Sequence, residues 1–268
     1  MVKPIHLVNV LASPMPGSEA MSLQSSRAFP RHSHDHIGIG VISQGVQRSW
    51  SVLGQLDAGP GDVIIVNPGE IHDGVPLDGI RNWQMVYIEP ELLWKELRTD
   101  DYRADSVLRP QIHDKQLSRQ LLLMFSAMHQ PDADHSALEE ALLLSMMHIS
   151  SHHLLTARYR PSITPSIKIA KQYLDDVPTQ HITLSELASL CQLSRFQLLR
   201  SFARDLGITP HAYLLQLRVR HARRYLAEKH TVADAAILSG FADQSHLTRA
   251  FVRQLGVTPA RYQKAILR

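Results

Sequence analysis

The chain has 268 residues and a formal net charge of +3, but the charge is divided: residues 1–160 carry 13 Lys+Arg against 18 Asp+Glu, and residues 161–268 carry 15 against 7. The length suits roughly two domains of about 100 to 200 residues each, and only the C-terminal part has the balance to meet a polyanion. One cysteine, Cys191, excludes an intramolecular disulfide framework and any zinc site with several cysteine ligands. The opening residues lead into no long apolar run, so the expectation is a soluble cytoplasmic protein with no signal peptide and no membrane partner.

From about residue 30 to 89, short β-rich runs are punctuated by glycine and proline. Residues 37–43 and 46–53 flank Gln44-Gly45 as an expected hairpin, 63–66 make a short apolar strand, and 83–88 make another before Pro90. Brief strands at this spacing predict a small antiparallel barrel or jelly roll. Pro90 then opens a helix over 91–97, proline being well placed in a first turn. Two longer helices follow, with Leu117, Leu121, Met124, Phe125 and Met128 on one stripe and Leu138, Leu142, Met146, Ile149 and His153 on the other. These stripes either cover the barrel or form an antiparallel pair presented to a second subunit. Residues 158–165, with two prolines, read as an interdomain linker.

The acidic half contains His32-Ser33-His34-Asp35-His36, and later Asn67-Pro68-Gly69-Glu70-Ile71-His72-Asp73. On a strand, His32, His34 and His36 would share one side because side chains alternate. With His72 from a neighbouring strand they suit a three-histidine metal site. They equally suit hydrogen-bonding walls of a small-molecule pocket, or plain surface polarity. Trp50, Trp83 and Met85 are candidates for lining the same barrel, ordinary strand packing being the alternative.

The last hundred residues repeat themselves. Leu206-Gly207-Ile208-Thr209-Pro210 returns as Leu255-Gly256-Val257-Thr258-Pro259, and Leu198-Leu199-Arg200-Ser201-Phe202 returns as Leu247-Thr248-Arg249-Ala250-Phe251, an offset of 49. Upstream the offset is 48, where Glu186-Leu187-Ala188 matches Asp234-Ala235-Ala236, so the second copy has one extra residue near Gly240. Thr183-Leu184-Ser185-Glu186 has the form of a capping box. Thr209-Pro210 and Thr258-Pro259 each set a cap before a first-turn proline, and Gly207 and Gly256 stand where helices end in a left-handed residue. Helices are therefore expected over 167–176, 184–191, 195–205, 210–229, 232–239, 244–254 and 259–267.

Each copy reads as a helix-turn-helix. In the first, Phe196, Leu198, Leu199 and Phe202 are apolar, leaving Arg195, Gln197, Arg200, Ser201 and Arg204 as DNA-facing candidates. In the second, Leu247 and Phe251 point inward, leaving Gln244, Ser245, His246, Thr248, Arg249 and Arg253. Arginine and glutamine reach guanine and adenine edges bidentately. The long helix between the copies, near twenty residues, spans on the order of 30 Å, close to the roughly 34 Å between successive major grooves. Cys191 ends an apolar helix and reads as a small core residue.

Residues 239–251, Ser-Gly-Phe-Ala-Asp-Gln-Ser-His-Leu-Thr-Arg-Ala-Phe, followed by Gly256-Val257-Thr258-Pro259-Ala260-Arg261-Tyr262, resemble the signature of the AraC/XylS family of bacterial transcription regulators. The resemblance covers about 167–267 and implies a seven-helix domain with two helix-turn-helix units that binds double-stranded promoter DNA. The histidine pair, the Pro-Gly turn and the later histidine resemble the cupin barrel that many AraC relatives carry as an effector domain. The glutamate that metal-binding cupin enzymes place after the pair is absent, since Ile37-Gly38-Ile39-Gly40-Val41 stands there.

The expectation is thus an α+β multidomain protein: a cupin-like effector barrel over 1–110, a helical dimerisation region over 111–157, a linker over 158–165 and a double helix-turn-helix domain over 166–268. Effector candidates are His32, His34, His36, Trp50, His72, Trp83 and Met85. No catalytic residue, metal or cofactor is assigned. The expected partners are promoter DNA, a small-molecule effector, RNA polymerase and a second copy of the chain. The rival is a cupin metalloenzyme with an appended DNA-binding domain.

Overall fold

Alternating small and β-branched residues build the first half of the chain, and capped amphipathic helices build the second. The computed structural model describes residues 5–11, 13–51, 53–92, 107–130, 132–155 and 163–267. They fall into two compact units, one formed by residues of the first 160 and the other mainly by residues 161–268.

The first unit holds strands β1 (His6–Leu11), β2 (Ser18–Ser25), β3 (Phe29–His32), β4 (Ile37–Gln44), β5 (Gln47–Ser51), β6 (Gly54–Ala58), β7 (Val63–Val66), β8 (His72–Pro76), β9 (Arg81–Ile88), β10 (Val107–Leu108), β11 (Gln111–Ile112) and β12 (Leu154–Leu155). One sheet runs β1-β2-β9-β4-β7-β11, a second runs β3-β8-β5-β6, and β10 pairs with β12. The expected β-rich N-terminal unit is present. The expected hairpin at Gln44-Gly45 is not: β4 lies between β9 and β7 in the larger sheet, while β5 pairs β6 and β8 in the smaller. Residues 37–42 of β4 are all buried, so both edges of the strand are taken by the central sheet and the chain must cross to the other layer. Gly45 makes that crossing with φ 74°, and a Cβ there would lie 2.5 Å from the Ile80 carbonyl oxygen.

Register separates the two faces of the larger sheet. Ile39 pairs with Val86 and Ile65, and Val41 with Val63. These side chains form one core with Leu117, Leu121 and Phe125 of α1 (Lys115–Met128) and Leu142, Met146 and Ile149 of α2 (His135–His152). Each such buried side chain contributes about 1.5–3 kcal/mol, which is why both helical stripes read from the sequence dock here. On the opposite face Gly38 pairs with Tyr87, Gly40 with Met85 and Ile42 with Trp83. Helical backbone begins at Pro90, as expected, and residues 93–97 of the expected helix lie outside the described residues. The linker expected over 158–165 also falls largely outside them, up to residue 162.

The second unit comprises α3 (Pro165–Asp176), α4 (Leu184–Leu190), α5 (Arg195–Leu206), α6 (Pro210–Ala227), α7 (Val232–Leu238), α8 (Gln244–Leu255) and α9 (Pro259–Ile266). These agree with the seven expected helices to within two residues at each end. Thr183 and Glu186 complete a capping box, with Thr183 N–H donating to Glu186 Oε2 at 2.7 Å and Glu186 N–H donating to Thr183 Oγ1 at 3.2 Å. Gly207 and Gly256 end α5 and α8 at φ 74° and 77°.

Candidate functional site

The duplication in sequence becomes a duplication in packing. Leu198 and Phe202 of α5, and Leu247 and Phe251 of α8, are all fully buried. Phe202 meets the edge of Tyr213 at 5.8 Å between ring centroids, and Phe251 meets Tyr262 at 5.4 Å. Each tyrosine carries a cation on its ring, Lys171 on Tyr213 and Arg223 on Tyr262, both at 5.5 Å. The turn inside each unit also repeats. Gln192 takes φ 55° in the first, and its counterpart Gly240 takes φ 81° in the second. At Gly240 a Cβ would meet Thr179 Cα at 2.8 Å, so glycine is required there by contact as well as by dihedral.

With Leu198 and Phe202 inward, a rotation of about 100° per residue sets Arg200 at the centre of the outer face of α5, flanked by Phe196, Gln197 and Arg204. All four are exposed. Phe196, one of the apolar residues that the sequence sets apart from the DNA-facing candidates, is 70% exposed. A large aromatic ring presented to solvent beside arginines suits contact with a thymine methyl or a sugar, and its place about 140° from the inward pair, next to Arg200 on the outer face, was the signal available in the sequence. Gln197 spends Oε1 on the N–H of Ser194 at 2.9 Å, closing a second capping box, so its amide NH2 group is what it presents outward. Arg204 Nε bonds Asp205 at 2.7 Å. Arg195 is exposed at the start of the helix, and Ser201 is half-buried.

In α8, Arg249 holds the place of Arg200, with Ser245, His246 and Arg253 around it. Ser245, Arg249, Arg253 and Gln244 are exposed. The His246 ring packs at 5.1 Å against Phe241, and Thr248 Oγ1 donates to the Gln244 carbonyl at 2.8 Å. Thr248 therefore turns its hydroxyl onto its own helix.

The inner face of the β unit collects some of the expected ligand residues and not others. Arg81, Trp83, Met85 and Tyr87 alternate on β9 and point to the same side. His34 lies 5.0 Å from the rings of both His72 and Tyr87. Burial pulls the His72 pKa down to about 4, so the ring is neutral at physiological pH, with Nδ1–H donating to the Glu70 carbonyl at 3.1 Å. His34 likewise donates from Nδ1 to the His36 carbonyl at 2.9 Å. The three histidines do not share a strand. β3 ends at His32, and residues 33–36 form a bend, so the alternation that would align them is interrupted. The His32 ring turns back to the Pro30 carbonyl at 2.9 Å, and His36 stays half-buried in the bend. Trp50 sits on the side of β5 opposite Gln47, Ser49 and Ser51, the side on which Arg48 pairs with Asp57 at 2.7 Å. Among the described residues, the one group of three side chains spaced to hold a metal is Asp114, His148 and His153.

Such an arrangement, a β unit with a chemically mixed inner face followed by two basic helix-turn-helix units, defines a DNA-binding transcription regulator with an N-terminal ligand-binding domain. Residues 17–147 match the AraC-like ligand binding domain, and residues 187–265 match a helix-turn-helix domain. The chain belongs to the AraC/XylS family of transcription regulators. It is 28% identical over 229 residues to the uncharacterized HTH-type transcriptional regulator YbfI of Bacillus subtilis, covering 82% of this chain and 81% of that protein. It is 24% identical over 216 residues to the arabinose operon regulatory protein of Salmonella typhimurium, covering 76% of this chain and 75% of that protein. In fold it is similar to ToxT from Vibrio cholerae, with a TM-score of 0.55 at 11% identity over 94% of this chain and 99% of that one. ToxT bound to unsaturated fatty acid gives a TM-score of 0.53 at 14% identity, covering 98% and 97%.

Proposed function

We propose that a small molecule enters the inner face of the β unit and changes how two copies of the chain set their paired helix-turn-helix units on a promoter, recruiting RNA polymerase. One observation carries the DNA half of this reading: Arg200 and Arg249 occupy equivalent outward positions on two helices whose cores repeat residue for residue. The effector half is supported by the match to a ligand-binding domain and by the grouping of His34, His72, Trp83 and Met85 on one inner face. Arg195, Gln197, Ser201, Arg204, Gln244, Ser245, His246, Thr248 and Arg253 complete the proposed DNA-facing set.

The proposal keeps the division into barrel (1–110), dimerisation helices (111–157), linker (158–165) and DNA-binding domain (166–268). Dimerisation is supported by Leu123, Leu144 and Met147, which stand 63%, 48% and 55% exposed on α1 and α2. No helix among the described residues is long and apolar enough to cross a membrane, and action on promoter DNA supports a cytoplasmic location. The reading is of a regulator and not an enzyme. The rival metalloenzyme needs three histidines directed at one point, and His32 is directed elsewhere.

Genome-wide footprinting followed by mobility shift on the recovered operator tests the function. Protection of two successive major-groove segments on one face of the duplex is expected, and transcription with purified RNA polymerase should rise with the regulator present. Binding that is indifferent to sequence would overturn the reading.

A further inference from the structure

Arg81 is 1% exposed, the largest of the fully buried side chains. Nη2 donates to the Gly74 carbonyl at 3.2 Å, and among the described residues neither Nε nor Nη1 has a hydrogen-bond partner. At least three of the five N–H donors of the guanidinium are therefore unmet. No carboxylate among the described residues pairs with it; its surroundings are the Trp83 ring at 4.6 Å and the Phe29 ring at 5.7 Å, with buried Ser25 opposite on β2. Burial lowers its pKa only to about 10, so the group remains a cation at neutral pH. A buried charge without its counterpart is strongly unfavourable, and ring stacking offsets part of that only.

We infer that Arg81 anchors the carboxylate of the effector, whose apolar or aromatic body lies along Trp83 and Met85; the assignment rests on the reading that this inner face is the effector site. The planar fork of arginine matches a carboxylate with two parallel hydrogen bonds. A single cation, set against the rings of Trp83 and Phe29, balances a monoanion and leaves a phosphate dianion half compensated. Space for the body comes from Met85, whose side chain fills the room above Gly38 and Gly40 (a Cβ on Gly40 would lie 2.1 Å from its sulfur). Methionine is the side chain best able to vacate such a gap by changing rotamer.

The test uses the full chain and needs no known effector for its first part. Arg81→Met, and separately Arg81→Gln, are compared with wild type by thermal melting without ligand. The expected result is a melting temperature at or above wild type for Arg81→Met, since an apolar replacement relieves the uncompensated charge; a loss of several degrees in both variants would make Arg81 a structural residue and overturn the assignment.

In the second part benzoate, phenylacetate and hexanoate are each titrated beside the corresponding neutral amide. Saturable stabilisation of wild type by an acid and not its amide is expected, with affinity falling by about 30-fold or more in both variants, as for removal of one partner from a buried charge pair. Equal binding of acid and amide, acid binding that survives in both variants, or no shift with any acid would each overturn the carboxylate assignment. Binding of an amide, or of a neutral polyol such as arabinose, that is lost in Trp83→Ala would still leave the inner face as the effector site, so the two readings fail separately.

Discussion

The carboxylate of Asp114 ties the start of α1 to His148 near the end of α2. Its Oδ1 accepts the N–H groups of Gln116 and Leu117 at 2.9 and 3.0 Å, while Oδ2 accepts from His148 Nε2 at 2.7 Å and from His153 Nε2 at 3.3 Å. One side chain thus caps a helix and joins both helices that cover the sheet.

The backbone N–H of Leu117, aided by the two histidines, holds the Asp114 carboxyl well below the ordinary carboxylate range. A carboxyl depressed in the folded state contributes stability that is complete above its unfolded value, near 3.9, and is lost as pH falls below that. Asp114→Ala should lower stability in urea by about 1–2 kcal/mol at pH 7, the size of a lost N-cap. The gap to wild type should narrow as pH falls from 4 toward 2. A gap of constant size across that range would show that ionisation of Asp114 is irrelevant.

Arg200→Ala and Arg249→Ala should each weaken operator binding by about 1–3 kcal/mol if they contact a base bidentately, with the loss confined to particular base pairs. Mobility shifts against single-site operator variants measure this. Losses uniform over all variants would make both residues phosphate contacts. Phe196→Ala should leave the melting temperature unchanged, because the ring is 70% exposed, while reducing affinity where thymine lies beneath it.

Replacing Leu123 and Met147 together by glutamate should convert a dimer to a monomer in sedimentation without shifting thermal stability, since exposed positions usually alter folding by no more than about 0.5 kcal/mol. A mass unchanged between wild type and variant would mean that α1 and α2 serve the sheet alone.

The double variant His34→Ala, His72→Ala should lose effector response in a reporter assay and keep ligand-free DNA binding, because both imidazoles offer hydrogen bonds to a polar effector on the inner face. Retained response would place the effector elsewhere. A melting transition shifted far down would instead make the His34–His72 contact a strut of the fold.

What the sequence by itself determined is local and repetitive. The seven helices of the second unit were readable because caps, first-turn prolines and terminal glycines act within four residues of the chain, and because Leu198/Phe202 and Leu247/Phe251 repeat one inward pair. The stripes of α1 and α2 were readable for the same reason, since period alone selects the buried face. The tertiary structure alone decided which sheet each strand joined. Gln44-Gly45 looks like a hairpin turn from either side, and only the burial of β4 on both faces sends the chain across to the second layer. It also decided which histidines meet: a bend after β3 breaks the alternation that the sequence invites, leaving His34 with His72 and turning His32 away. Arg81 shows the limit most sharply, because nothing beside it in sequence distinguishes it from a surface arginine at a strand end. Its burial comes from β2, β3, β5 and β8 closing around it, and long-range strand pairing is the term that a local pattern does not carry.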